Sequence, residues 1–266
     1  MNENSDQTTG DVLRLSGVTK DFQLGGTFRK TKHTAVKNAS LTVERNQVLG
    51  LVGESGSGKS TLGRIAIGLI KPTSGSVTVL GQDIFAMKPA ALRLYRRKMQ
   101  MIFQDSSNSL NPRMTLQELL EEPFRVQNLY TPADRHRRAR ALADEVQLAE
   151  SWLGRLAHEF SGGQRQRISI ARGLALEPEL IVADEPVSAL DVSVQAHVLN
   201  LLKDIREARN LSMIFVSHDM AVVEFMSDQV AVLYQGEIVE SGPAGRIFGQ
   251  PSNPYTRVLL ESTPSL

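Results

Sequence analysis

Short apolar runs closed by a polar residue or glycine alternate along this chain with longer mixed stretches. Val48-Leu49-Gly50-Leu51-Val52, Leu180-Ile181-Val182-Ala183 and Met213-Ile214-Phe215-Val216 have no polar interruption, the pattern of parallel strands buried on both faces. Val12-Leu13-Arg14-Leu15 and Leu41-Thr42-Val43 instead alternate, as half-buried strands do. Further strands are predicted at Ser76–Leu80 and Met99–Phe103, and a hairpin over Gln229–Glu240 turns at Gln235-Gly236. From Thr115 to Ala157 the composition shifts to Leu, Ala, Glu and Arg, with a helix start at Thr131-Pro132 and no alternation. That stretch predicts a helical subdomain, inserted at about residues 105–160. The polar residues 1–11 predict a disordered start, and 12–266 a single domain. Gly25–His33 reads as a basic loop and Pro251–Leu266 as a loop with a short helix. Strands alternating with helices imply an α/β fold with a mainly parallel sheet.

Composition narrows the functions open to such a fold. A 41% hydrophobic share in 266 residues permits a substantial core, and a net charge of +1 gives no electrostatic footprint for a nucleic-acid partner. The one basic cluster on a predicted helix, Arg135 to Arg140, has Leu142 and Val146 as its apolar stripe and reads as a solvated face. The absence of cysteine removes disulfides and cysteine-ligated zinc or iron–sulfur clusters, and fits a reducing compartment. No stretch approaches the roughly 20 apolar residues of a membrane-spanning helix, so the protein reads as cytoplasmic.

Candidate chemistry gathers at the strand ends. The segment Gly53-Glu54-Ser55-Gly56-Ser57-Gly58-Lys59-Ser60-Thr61 fits G-x-x-x-x-G-K-[ST], with an apolar strand before it and a helix, Thr61 to Ile70, after it. Glycines let backbone N–H groups converge on phosphate oxygens, and the helix dipole adds to them. Lys59 would reach the β- and γ-phosphates, and Ser60 would offer a hydroxyl to Mg²⁺, which prefers hard oxygen ligands. Gln104, the acids Asp184-Glu185 and His218 each follow another apolar strand. In parallel sheets ligands bind at those carboxyl ends, so one edge would collect a lysine, a hydroxyl, an amide, two acids and an imidazole. This inventory suits phosphoryl transfer to water. Ser161-Gly162-Gly163-Gln164 opens a second anion-binding helix start, with Ser161 as N-cap. Phe22 is either a core side chain or a flat surface for an adenine, with Phe28 as the alternative stacking ring.

On these segments the sequence resembles the ATP-binding subunits of ABC transporters, in the family's order from Phe22 to His218. They are the Walker A loop Gly53–Thr61, the Gln104 loop, the signature Ser161–Gln164, the Walker B strand Leu180–Asp184, the D-loop Ser188–Asp191 and the switch His218. The resemblance implies a P-loop NTPase core of RecA-like type, with an N-terminal antiparallel β subdomain and the inserted helices. It also implies roles. Asp184, with Ser60 and Gln104, would hold Mg²⁺; Glu185 would polarise the attacking water; His218 would contact the γ-phosphate; and Gln104 would link nucleotide to membrane partner. Ser161 to Gln164 would close over ATP bound to the opposite subunit of a head-to-tail dimer. Phe160 stands where leucine is usual in the signature, and Phe22 where a tyrosine often stacks.

Phe103-Gln104-Asp105, Ser109–Met114 and Asn253-Pro254-Tyr255-Thr256-Arg257 further resemble the dipeptide, oligopeptide and nickel importers. Those pair two ATPase subunits, identical or paralogous, with two permeases and an extracytoplasmic binding protein, at the cytoplasmic face of the inner or plasma membrane. The cargo stays open among peptides, nickel and glutathione. The other class of function is a soluble ABC-type ATPase of repair or translation. The short insert without sustained heptads and the single phosphate loop count against it.

Overall fold

The structure, a computed structural model, describes residues 10–24, 31–104 and 109–261. Its centre is a six-stranded sheet in the order β10-β9-β3-β8-β7-β6. The strands are β3 (Val48–Val52), β6 (Met99–Ile102), β7 (Leu180–Asp184), β8 (Ser212–Val216), β9 (Gln229–Tyr234) and β10 (Glu237–Pro243). All pairings are parallel except β9 with β10, the predicted hairpin, whose turn residues Gln235 and Gly236 both have positive φ. In β3, β7 and β8 every residue is buried, which is what uninterrupted apolar runs require.

Successive side chains of these strands serve two separate cores. Leu49, Leu51, Leu180, Val182, Ile214 and Val216 face one, while Val48, Val52, Ile181, Ala183, Met213 and Phe215 face the other. The first core is closed by helix α1 (Lys59–Ala66) and by an antiparallel sheet, β2-β1-β4-β5. Its strands are β1 (Asp11–Leu24), β2 (Thr31–Glu44), β4 (Ser74–Val79) and β5 (Gln82–Asp83), and α2 (Pro89–Tyr95) lies beyond them. The second core is covered by α3 (Leu116–Val126), α4 (Pro132–Glu145), α5 (Gly162–Leu174), α6 (Val192–Arg209), α7 (Met220–Met226) and α8 (Ala244–Gly249), with α9 (Pro254–Glu261) at its margin.

Two helices within the stretch from Thr115 to Ala157 start at side-chain caps. Thr131 caps α4, with Pro132 in the first turn, and Thr115 and Glu118 close a capping box at α3. Burial of Leu116, Leu119, Leu120 and Phe124, each contributing about 1.5–3 kcal/mol, holds α3 to the core. The ion pairs Arg137–Asp134 (2.7 Å) and Arg138–Glu177 (3.0 Å) lie exposed, where solvent screens them, so the basic cluster is a solvated face.

Several boundaries differ from the sequence reading. Thr31, Lys32 and His33 are not loop but the start of β2, paired with Leu24, Gln23 and Phe22; residues 25–30, with Phe28, lie outside the described residues. The chain is already ordered at Gly10 and Asp11: Asp11 opens β1 and Gly10 O accepts from Arg45 N–H, so the predicted disordered start could cover only residues 1–9, which are also outside the described residues. Helix α1 stops at Ala66 rather than Ile70, because the chain turns through Gly68 at φ 70°. The 18-residue α6 was not anticipated.

Candidate functional site

The phosphate loop gets its shape from neighbours on two sides. Gly53 (φ 145°) passes so close to β9 that a Cβ there would sit 2.1 Å from Leu233 O, and at Gly58 (φ 105°) a Cβ would sit 2.3 Å from Ala35 O. Only glycine fits either place. Gly236 N–H donates to Ser57 O (2.9 Å), tying the loop to the hairpin. Gly56 meets nothing within 4 Å and faces open space, leaving room for a ligand against the backbone.

Above the loop lies an open cleft of about 580 Å³, lined among others by Phe22, Lys59, Ser60, Gln104, Glu185 and His218. Lys59 is 5% exposed and donates to Gly53 O (2.7 Å) and Glu54 O (2.8 Å). Burial pushes its ammonium pKa down, while Glu185, Asp184 and Glu54 pull it back up. Ser60 Oγ donates to Asp184 Oδ1 (2.8 Å). Asp184 is 1% exposed; burial pushes its carboxyl pKa up, and the Ser60 hydroxyl and the Arg64 guanidinium, 3.7 Å away, offset only part of that. A desolvated carboxylate beside a hydroxyl on the rim of a phosphate loop offers oxygen donors of the kind a small hard cation prefers.

Glu185 occupies the left-handed region (φ 47°), and its N–H donates to Val216 O (2.9 Å). That turn separates the two adjacent acids: Asp184 stays in the sheet and bonds Ser60, while Glu185 lines the cleft. Both oxygens of Glu185 are engaged, Oε2 by Gln104 Nε2 (2.8 Å) and Oε1 by His218 Nδ1 (3.3 Å). Phe22 lines the cleft with Lys20 Nζ 5.1 Å over its ring, and its cross-strand neighbour His33 lines the cleft too. Sequence reasoning missed His33 because the glycine-rich basic run before it read as loop.

Ser161, Gly162, Gly163 and Gln164 do not line this cleft. Ser161 caps α5 in a closed box: Gln164 N–H donates to Ser161 Oγ (3.4 Å), and Ser161 N–H to Gln164 Oε1 (2.9 Å). A Cβ at Gly163 would lie 2.4 Å from Val194 Cγ1 on α6, so α5 and α6 cross closely. The segment between β7 and α6 is fixed by Gln195 Nε2, which donates to Val187 O (3.1 Å) and Leu190 O (2.9 Å).

A glycine-rich loop opening a helix, with a hydroxyl-bound acid and a second acid at the same edge of a parallel sheet, makes this a P-loop nucleotide-hydrolysing domain. The chain belongs to the ABC transporter family, whose profile matches residues 36–188. It is 48% identical over 258 residues to a putative peptide import ATP-binding protein of Brucella ovis, spanning 97% of this chain and 80% of that protein. It is 47% identical over 257 residues to the oligopeptide transport ATP-binding protein AppF of Bacillus subtilis, spanning 95% and 78%. Among solved structures it is similar to the dimeric ATP-binding cassette MJ0796 in a post-hydrolysis state with ADP and phosphate. There the TM-score is 0.78 and the identity 31%, over 87% of this chain and 98% of that one. The protein is an ATPase of this family. Among the described residues no helix is long and apolar enough to cross a membrane.

Proposed function

We propose that the chain is the ATP-hydrolysing subunit of a peptide importer. It works at the cytoplasmic face of the membrane on two permease subunits, beside a second cassette that is identical or paralogous, while the permeases receive cargo from an extracytoplasmic binding protein. The observation that carries the catalytic part is the edge cluster in which Ser60 holds Asp184 while Gln104 and His218 hold both oxygens of Glu185. The peptide cargo is supported by the named functions of the relatives, which match nearly the whole chain.

The residues divide the work. The loop's N–H groups and the α1 dipole bind the phosphates, and Lys59 moves from the carbonyls of Gly53 and Glu54 onto the terminal phosphates, exchanging neutral acceptors for charged ones. Ser60, Asp184 and Gln104 would supply the oxygens for Mg²⁺, which when bound would neutralise phosphate charge. Glu185, aimed by Gln104 and His218, orients a water and accepts its proton. The water oxygen bonds to the γ-phosphorus, the bond to the bridging oxygen breaks, and ADP and phosphate leave. His218 faces the γ-phosphate, and Phe22 stacks on the adenine. Ser161 to Gln164 serve the nucleotide of the second copy, consistent with their place outside this chain's own cleft.

The test is reconstitution with co-purifying permeases in vesicles. ATP-dependent uptake of labelled peptide is expected, and hydrolysis without uptake of any peptide would overturn the cargo assignment.

A further inference from the structure

Outside the strand-end cluster, the segment after β10 also reaches the phosphate loop. It is anchored by Glu240, a carboxylate 8% exposed within β10 with no part in the mechanism above. Its oxygens accept the N–H groups of Ser252 (2.8 Å) and Asn253 (3.1 Å). Burial works against its charge, but those donors and the Arg246 guanidinium, 3.6 Å away, hold the carboxyl pKa below its ordinary value. Asn253 then accepts from Tyr255 N–H (2.8 Å) and donates to Val239 O (3.3 Å). The start of α9 is thereby fixed.

From that start Tyr255 lays its ring on Tyr234, centroids 4.2 Å apart, and its hydroxyl accepts from the N–H of Glu54 (3.2 Å). The carbonyl of Glu54 is bound from the other side by Lys59 Nζ (2.8 Å) and Ser57 N–H (3.2 Å). The Glu54 residue is therefore gripped at both ends. When Lys59 goes to the phosphates, one of those grips is released.

We propose that Tyr255 is a positioning residue for the phosphate loop: its hydroxyl, anchored through Asn253 and Glu240, holds the Glu54 N–H so that the loop keeps its cradle shape while Lys59 moves onto the nucleotide. This rests on the nucleotide reading of the loop. The ring also packs on Tyr234, so packing and positioning must be separated, and Tyr255→Phe does so by keeping the ring and removing only the acceptor.

The experiment titrates full-length Tyr255→Phe, Lys59→Ala and unmodified protein with a fluorescent ATP analogue. Melting temperatures are measured on the same samples, with kcat and KM for ATP in the assembled complex. Loss of one neutral hydrogen bond predicts about 2- to 10-fold weaker nucleotide binding by Tyr255→Phe, a matching rise in KM, kcat within about twofold and an unchanged melt. Unchanged affinity in Tyr255→Phe, with Lys59→Ala losing binding, overturns the role of Tyr255 alone. A fall in melting temperature that tracks the loss of affinity overturns it as well, since packing then suffices. Unmodified affinity in Lys59→Ala overturns the nucleotide reading and the role of Tyr255 together.

Discussion

The starts of α1 and α5 both carry glycine, and they are built in opposite ways. At α1 the N-cap is Gly58 in the left-handed region, without a side-chain cap, and the residue after it is a buried lysine. The α1 start takes much of its shape from outside, from Ala35, Leu233 and Gly236. At α5 the N-cap is Ser161, and its bonds with Gln164 close within one helical turn. A start of the first kind leaves its own donors for a ligand and needs a scaffold around it. One of the second kind keeps its shape unaided, so it can be presented to a nucleotide held by another chain.

The largest effect that would break this contrast is at α1. Lys59→Ala removes the charge-assisted contacts proposed for the terminal phosphates and should weaken ATP binding by about a hundredfold or more in a nucleotide titration. Near-normal affinity would mean the externally shaped start is not the phosphate site. Next comes Glu185→Gln, a near-isostere that leaves the Asp184–Ser60 pair intact. Single-turnover hydrolysis should fall at least about a hundredfold while ATP stays bound, because general-base assistance typically contributes about 10²–10⁴-fold. If turnover persists at an unchanged melting temperature, Glu185 is not the base.

Ser161→Arg sharpens the contrast from the other side. ATP binding to the isolated subunit should be unchanged and hydrolysis by the assembled complex suppressed; normal hydrolysis in the complex would refute the two-chain site. The loss of the cap should cost about 1 kcal/mol, read as a melting temperature a few degrees lower.

The smallest effect concerns the anchor behind α1. The Glu240 carboxyl has its pKa held below the ordinary value in the fold, so its contribution to stability is full above that value and is lost as pH falls through the lowered one. Glu240→Gln should therefore melt below the unmodified protein at pH 7, with the gap closing as pH drops below about 4. A gap independent of pH would assign the effect to shape rather than charge.

Much of this was legible in the sequence, for a physical reason. Strands buried on both faces are apolar along nearly their whole length, so β3, β7 and β8 stand out, and a polar residue at or just past their carboxyl ends is conspicuous. Caps are local too, which is why Thr131 and Ser161 were placed correctly. Helix α6 escaped because its exposed first residue, Val192 at 76%, and its mixed faces give no clean stripe. His33 escaped because the partner that makes it strand, Phe22, lies on the neighbouring antiparallel strand. The contact of Tyr255 with Glu54 spans 201 positions, and no spacing rule reaches that far.

The same long reach bears on how the chain is made. Strand β3 has β8 and β9 as its pairing partners in the sheet, and both come far later in the chain. At a synthesis rate of about 5–20 residues per second, roughly ten to thirty seconds pass between the appearance of Val52 and that of Ser212. Through that interval a five-residue apolar strand waits with both edges unpaired, the kind of surface on which nascent chains stick to one another and to holding chaperones. The element that carries the phosphate loop is made early and completed late.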